Sequence, residues 1–383
     1  MSPPLKPVRS EQNHPSRSRF WRDLLVVVAL AAALYACAAP GPAPPTVTTA
    51  PPTPAVIVHT PTGVAAPETP VPAPSPTTPA IARTLVFFTE TADNTVGFEP
   101  LSKFAQKQGW QFRPAGAREA QSILAEAPVA VVSVSAELSP QQWITLAQQH
   151  PETYFAIFGP PEAGAEIPAN LLFLGGPAGR EDQAGFLAGV TAGLTTKTQK
   201  VGVFSDTTTP SGLKYRNGFA AGVRYACPRC SLYVIELSTF SEVVFAQAIG
   251  QKYAALGADV VFAAAGDAGA FALAGAAQNR AWVIADDSIS SISLDRLRDS
   301  ERLLTRVSLD VFAAFESALA DFIAGRPRSG VAPLSLANGG VVLAPIREGV
   351  LAPLDLQNIN SIKQKLAEGA LETGVDPLTG EEK

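Results

Sequence analysis

The sequence predicts an α/β protein made of two doubly wound parallel sheets, preceded by an N-terminal stretch that belongs to neither. From about residue 83 onward, short apolar runs alternate with helical segments in βαβα order. Most of these runs are continuously apolar rather than alternating, as strands covered on both faces should be. About 300 residues and ten such runs suit two sheets better than one, because single cores stop growing at about 250–300 residues.

In chain order, strand 85–88 (Leu-Val-Phe-Phe) leads to helix 100–108, and strand 129–135 leads to helix 140–150. Strands 154–158 and 171–174 precede helix 181–194, which opens on Arg180, Glu181 and Asp182. Gly185, Gly189 and Gly193 fall four apart on one face of that helix, a spacing that predicts close packing onto a sheet. Strand 201–204 precedes helix 213–225, strand 232–237 precedes helix 241–256, and strand 260–265 precedes helix 268–279. Strands 282–285 and 303–307 precede helix 310–324, and strand 341–344 precedes helix 356–368. The expected lobes are 83–198 and 199–304, with 305–383 completing both and ending in a tail.

The N-terminus is different in kind. Arg17, Arg19 and Arg22 precede an apolar run over 24–36, too short to span a bilayer as a stable helix but suited to a signal-peptide core. It ends in Leu34-Tyr35-Ala36-Cys37, which resembles a bacterial lipobox, so 1–37 reads as a lipoprotein signal peptide with Cys37 as the lipidation site. A plain anchor helix with an incidental cysteine is the alternative, and either places the body outside the membrane. Residues 38–82 are largely Pro, Thr, Ala and Val with Glu68 as their single charged residue; such a segment cannot bury a core and reads as a disordered, semi-rigid tether.

Composition narrows the chemistry. Among 383 residues there are 3 His, 3 Cys and 1 Met, little material for zinc or haem sites, and no cofactor is expected. Lys+Arg (29) is outnumbered by Asp+Glu (34), which argues against a nucleic-acid partner. Of the histidines only His150 lies in the body, before Pro151, and no Gly-x-Ser-x-Gly elbow is present, so a hydrolase lacks its parts. Cys227-Pro-Arg-Cys230 follows a helix and precedes a strand, the reverse of a thioredoxin-like motif; a local structural disulfide and a redox pair are the two readings.

The strand at 260–265 runs into Gly266-Asp267-Ala268-Gly269, where glycine lets a backbone approach a ligand and the helix N-terminus offers free N–H groups. The spacing is not a dinucleotide fingerprint. Asp286, just past strand 282–285, is placed either to accept hydrogen bonds from vicinal hydroxyls or to cap the next helix. Asp206, Tyr215 and Arg216 are further cleft candidates.

The stretch from Asp182 through Phe204 resembles the basic membrane protein family, substrate-binding lipoproteins of certain ABC importers whose better-known members bind purine nucleosides. The resemblance continues through Arg216-Asn-Gly-Phe-Ala-Ala-Gly-Val223, Gly257 to Gly266, Ala285-Asp286 and Asn338 to Ala344. It implies a periplasmic-binding-protein-like fold of type I: two lobes joined by three crossovers, with a small ligand gripped between them. It also implies an ABC permease as partner and a lipid anchor to the membrane. The family's turn after the first strand, where an aromatic ring stacks on the nucleobase, is replaced here by 89–98, in which Asp93 and Phe98 are the available substitutes. Phe240 stands where the resembling proteins carry an aromatic turn residue. The Gly-rich turn expected after the second strand is Ser133-Val134-Ser135-Ala136, Gly159 replaces an acidic residue, and a lysine expected after the strand near Thr305 is absent.

The function expected is an extracytoplasmic solute-binding lipoprotein with no enzymatic activity, whose ligand-binding residues are Asp286, Gly266, Asp267, Gly269, Phe240, Asp93 and Phe98. The alternative is a sensor or interaction lipoprotein that keeps the lobes without transport. Expressed in a lipoprotein-processing bacterium, Cys37→Ser leaves the chain unprocessed or releases it from membranes; mass spectrometry and fractionation check this, and normal processing of the variant refutes lipidation.

Overall fold

The structure, a computed structural model, describes residues 83–90, 98–236, 243–290 and 301–383, together with Ser293, Asp295, Leu297 and Arg298. Contacts divide the chain after Ser75, and all described residues belong to the second unit, Pro76–Lys383. The signal segment, Cys37 and residues 38–82 lie outside them.

Two six-stranded sheets form. The first contains β1 (Thr84–Thr89), β2 (Gln111–Gly116), β3 (Ala130–Ser133), β4 (Tyr154–Phe158), β5 (Leu171–Leu174) and, from late in the chain, β11 (Gly330–Ala332), in the order β11-β5-β4-β3-β1-β2. The second contains β6 (Lys200–Ser205), β7 (Ser231–Glu236), β8 (Val260–Ala264), β9 (Trp282–Ala285), β10 (Leu303–Leu309) and β12 (Val341–Leu343), in the order β12-β10-β9-β8-β6-β7. All pairings are parallel except β10 with β12. The chain passes between the lobes three times: at Gly175–Arg180, at Leu309–Asp310 and at Pro333–Gly340.

Two strands escape the sequence pattern, β2 and β11, and they are the two edges of the first sheet. Gln-Phe-Arg-Pro-Ala-Gly is half-exposed and contains a proline that an edge position tolerates, and Gly-Val-Ala is three residues long. The central strands are legible because both faces are covered. Leu85 and Phe87 pack with α1 (Phe98–Lys107) and α8 (Val311–Ile323), while Val86 and Phe88 pack with α2 (Ala120–Leu124) and α3 (Pro140–Gln149).

In the second lobe, α4 (Glu181–Thr195), α5 (Pro210–Ala226) and α9 (Pro353–Ala367) cover one face, and α6 (Val243–Ala255) with α7 (Gly266–Gln278) the other. This moves the expected lobe boundary: α4, assigned from sequence to a first lobe ending at 198, buries Ala184, Leu187, Ala188 and Val190 in the second lobe's core. The crossing lies before that helix.

The glycine stripe of α4 faces a helix rather than a sheet. A β-carbon on Gly185 or Gly189 would fall onto the carbonyl of Tyr215 or Phe219 of α5; reciprocally, one on Gly218 or Gly222 would fall onto that of Asp182 or Phe186. The two backbones touch. The same device joins α6 and α7 through Gly250 and Gly275. Cys227, which closes α5, and Cys230 form a disulfide with their sulfurs 2.03 Å apart, in the turn that leads into β7.

Because backbone cannot yield as a flexible side chain can, Gly189→Val forces α4 and α5 apart. It lowers stability by about 3 kcal/mol. Urea denaturation measures this, and an unchanged midpoint would mean the helix axes are free to separate.

Candidate functional site

A pocket of about 270 Å³ opens at the carboxyl ends of the second sheet's strands. Strand order reverses between β6 and β8, since β7 lies to one side and β9 to the other, and the pocket contains Asp206 from the end of β6 and Ala264 from the end of β8. This is the topological switch point, where open α/β sheets take their ligands because diverging connections leave a crevice. Asp286, Asp287 and Ser288 line it beyond β9, Leu309 from the second crossover, Glu181 at the start of α4, and Thr209, Ser211, Gly212 and Tyr215 around the start of α5.

Asp286 is the most buried of these acids, 1% exposed. Its Oδ1 accepts from Ser288 Oγ at 2.7 Å, and Ser288 Oγ in turn accepts from the Gly266 N–H at 2.9 Å. The structure thus joins two residues singled out in the sequence through one that was not. Gly266 sits at φ 54, the left-handed region that glycine enters without strain, and this turns its N–H toward Ser288. Burial, reinforced by the charge of Asp287, pushes the Asp286 carboxyl up to about 7 despite the opposing Ser288 bond. Asp287 accepts from Tyr215 Oη at 2.9 Å and from the Leu309 N–H at 2.8 Å. Tyr215 is raised well above the usual phenol range, first by burial and then by the charges of Asp287 and Asp286.

Lys214, 2% exposed, is paired with the pocket-lining Glu181. Its ammonium is 2.6 Å from Glu181 Oε2 and donates to the carbonyls of Pro177 at 3.0 Å and Gly179 at 2.8 Å. With two carbonyls accepting from it and the Glu181 carboxylate beside it, this cation is held between the first crossover and the start of α4. What faces the pocket is a set of acceptors and hydroxyls, a surface that suits a ligand bringing hydrogen-bond donors.

Other sequence candidates lie elsewhere. Asp267 is exposed; the Ser290 hydroxyl first, then the Ser290 N–H and Ser293 Oγ, hold its carboxyl below the usual range, and it does not line the pocket. Gly269 faces β8: a β-carbon there would stand 3.1 Å from that of Ala263, so the glycine serves helix packing. Arg216 pairs with Asn217 and Glu236. Asp93 and Phe240 lie outside the described residues, as does the side chain of Phe98. Across the first sheet, Ser133 Oγ accepts from the Ser135 N–H and Ser135 Oγ from the Glu137 N–H, closing the 133–136 turn on itself. Sequence reading missed Asp287, Ser288, Thr209, Ser211, Glu181 and Lys214. A run of three polar residues after β9 was the available signal for the first two.

Residues 123–372 match the profile of a family described as ABC transporter substrate-binding protein PnrA-like. The chain belongs to this family. Basic membrane protein A1 of Borrelia garinii subsp. bavariensis is 28% identical over 122 residues, 32% of this chain and 35% of its own. The CD4+ T-cell-stimulating antigen of Listeria monocytogenes serovar 1/2a is 31% identical over 124 residues, 32% of this chain and 33% of its own. The alignments therefore span about a third of these relatives' length. An ABC transporter system solute-binding protein from Conexibacter woesei superposes with a TM-score of 0.56 at 21% identity, covering 76% of this chain and 98% of that one. A transcriptional activator of the comK gene from Bacillus halodurans gives 0.54 at 16% identity, over 76% and 99%. Both likenesses concern the two-lobed fold. Among the described residues no helix is long and apolar enough to cross a membrane, and no cluster of potential metal ligands is present.

The folded chain holds a proton on Asp286 up to about pH 7, whereas the unfolded chain releases it near pH 4. Stability from this group is therefore greatest at low pH and is lost as pH rises from about 4 through 7, where the ionised form must be buried. Asp286→Asn removes that cost. Thermal melts should show the variant stabilised by on the order of 2–4 kcal/mol at pH 8 and little changed at pH 4; equal effects at both pH values would contradict a protonated Asp286.

Proposed function

We propose that this chain is the extracytoplasmic solute-binding lipoprotein of an ABC importer, and that its ligand presents vicinal hydroxyls to Asp286. The observation that carries the reading is the position of Asp286, a buried acid at a switch-point pocket that contains acceptors and hydroxyls, in a chain belonging to a substrate-binding family. A ribose or similar polyol supplies donors to the pocket's carboxylates, which supports a nucleoside or a related small polar compound as ligand. The two lobes would close on it and present it to a permease. Cys37 would carry the lipid that anchors the chain, and residues 38–82 would hold the lobes clear of the membrane. No catalytic role is assigned to any residue. The self-closed 133–136 turn favours a second reading, a sensor that retains the lobes without transport.

Purine nucleosides are the first compounds to titrate by calorimetry. Measured at pH 8, where the carboxyl is ionised, Asp286→Ala removes a charge-assisted acceptor and should weaken binding by roughly 10- to 150-fold. Undiminished affinity in that variant would place the ligand elsewhere, and absence of nucleoside binding by the parent, with no small molecule released from the purified protein on denaturation, would favour the sensor.

A further inference from the structure

Two of the three crossovers are tied to acids that line the pocket. In the first, Lys214 grips Pro177 and Gly179 through their carbonyls and is itself paired with Glu181. Lys214 does not reach Gly175-Gly176, which turn at φ values of 102 and 97, conformations that only glycine turns through easily, with the Gly175 N–H donating to the Ala332 carbonyl of β11. In the second, the Leu309 N–H is the last strand amide before the chain leaves for the other lobe, and it donates to Asp287 Oδ2. Asp287 Oδ1 is occupied by Tyr215 Oη from α5. One carboxylate therefore joins the end of β9, the side of α5 and the second crossover.

We propose that Asp287 is a positioning residue for lobe closure: its carboxylate clamps the second crossover to α5 and so sets the angle between the lobes. It differs from its neighbour Asp286 in having both oxygens engaged within the protein, by Tyr215 and Leu309. A ligand resting beside Asp287 bears directly on the group that holds the crossover, which links occupancy of the pocket to lobe angle. Turning then falls on Gly175-Gly176 and on the Leu309–Asp310 step, a few residues absorbing the backbone change as hinges do.

The clamp exists without ligand, so its test is independent of the proposed ligand chemistry. Labels on non-canonical residues replacing Gln141 of α3 and Lys252 of α6, both exposed, leave the three cysteines untouched and report the inter-lobe distance in the full, unliganded chain. Asp287→Ala should broaden that distribution roughly twofold or shift it, because the second crossover loses its tie to α5 and keeps the bond from the Asp310 N–H to the Gly340 carbonyl. Asp287→Asn should keep the parent distribution, since its carbonyl still accepts from Leu309 and its amide can donate to Tyr215 Oη. Amide exchange at Leu309 should accelerate by about 10- to 150-fold in the alanine variant and little in the asparagine one. If the alanine variant does not fold, Asp287→Ser, whose hydroxyl is too short to reach both partners, carries the same comparison. A parent-like distance distribution in Asp287→Ala or Asp287→Ser, or equal broadening in Asp287→Asn, overturns the clamp. Loss of nucleoside binding with an intact clamp would count against the ligand reading alone.

Discussion

The contact between the backbones of α4 and α5 sets the position of nearly everything around the pocket. Helix α4 continues directly from the first crossover, and α5 begins at the switch point, so the distance between their axes fixes how the hinge meets the pocket. Three glycines on one helix and two on the other bring the axes to the closest approach that backbone allows. At that separation Lys214 reaches the carbonyls of Pro177 and Gly179 from the first turns of α5. Any side chain in the stripe would move that ammonium away from the acceptors that make its burial tolerable.

Charge is buried around this contact in an ordered way. Asp182, fully buried, accepts two hydrogen bonds from Arg180 and one from Thr373 of the C-terminal segment. Asn217 and Arg224 hold the same segment through Gly380 and Glu382, so the chain's end closes over α4 and α5. Asp182 thus has its partners, which is the condition for keeping charge out of water without a large loss of stability, whereas the Arg224–Glu382 pair lies at the surface. Asp286 is the exception, and its raised proton affinity follows from that. A ligand that supplies hydrogen-bond donors would favour the ionised form and take up the role that water has in an exposed carboxylate.

The family pattern in the sequence is partly a record of structure rather than of ligand. Asn338-Gly339-Gly340 belongs to the third crossover: Asn338 Oδ1 accepts from the N–H groups of Ser335 and Gly340, its Nδ2 donates to Pro333, and Gly339 turns at φ 74. Gln183, inside the matching stretch on α4, accepts from the Leu336 N–H in the same crossover. Gly185, Gly189, Gly218 and Gly222 are likewise explained by helix contact. The residues most resembling the family thus preserve the lobes and their connections, and of the described residues picked from the sequence for the cleft, Asp286, Asp206 and Tyr215 line the pocket.

The sequence by itself determined the two parallel sheets, their central strands in chain order and the helices between them apart from the short α2, because strands covered on both faces leave unbroken apolar runs that need no partner to be recognised. It also marked Asp286, since an acid directly after a buried strand has few local uses. The edge strands β2 and β11 were decided only by pairing, their residues being too polar or too few to declare a strand alone. The lobe to which α4 belongs was decided by which helix its glycines meet, a contact between segments some thirty residues apart. Asp287, Lys214 and Leu309 acquire their roles in the same way. Their partners come from different elements, and hydrogen bonds between distant segments leave no periodic trace in the chain.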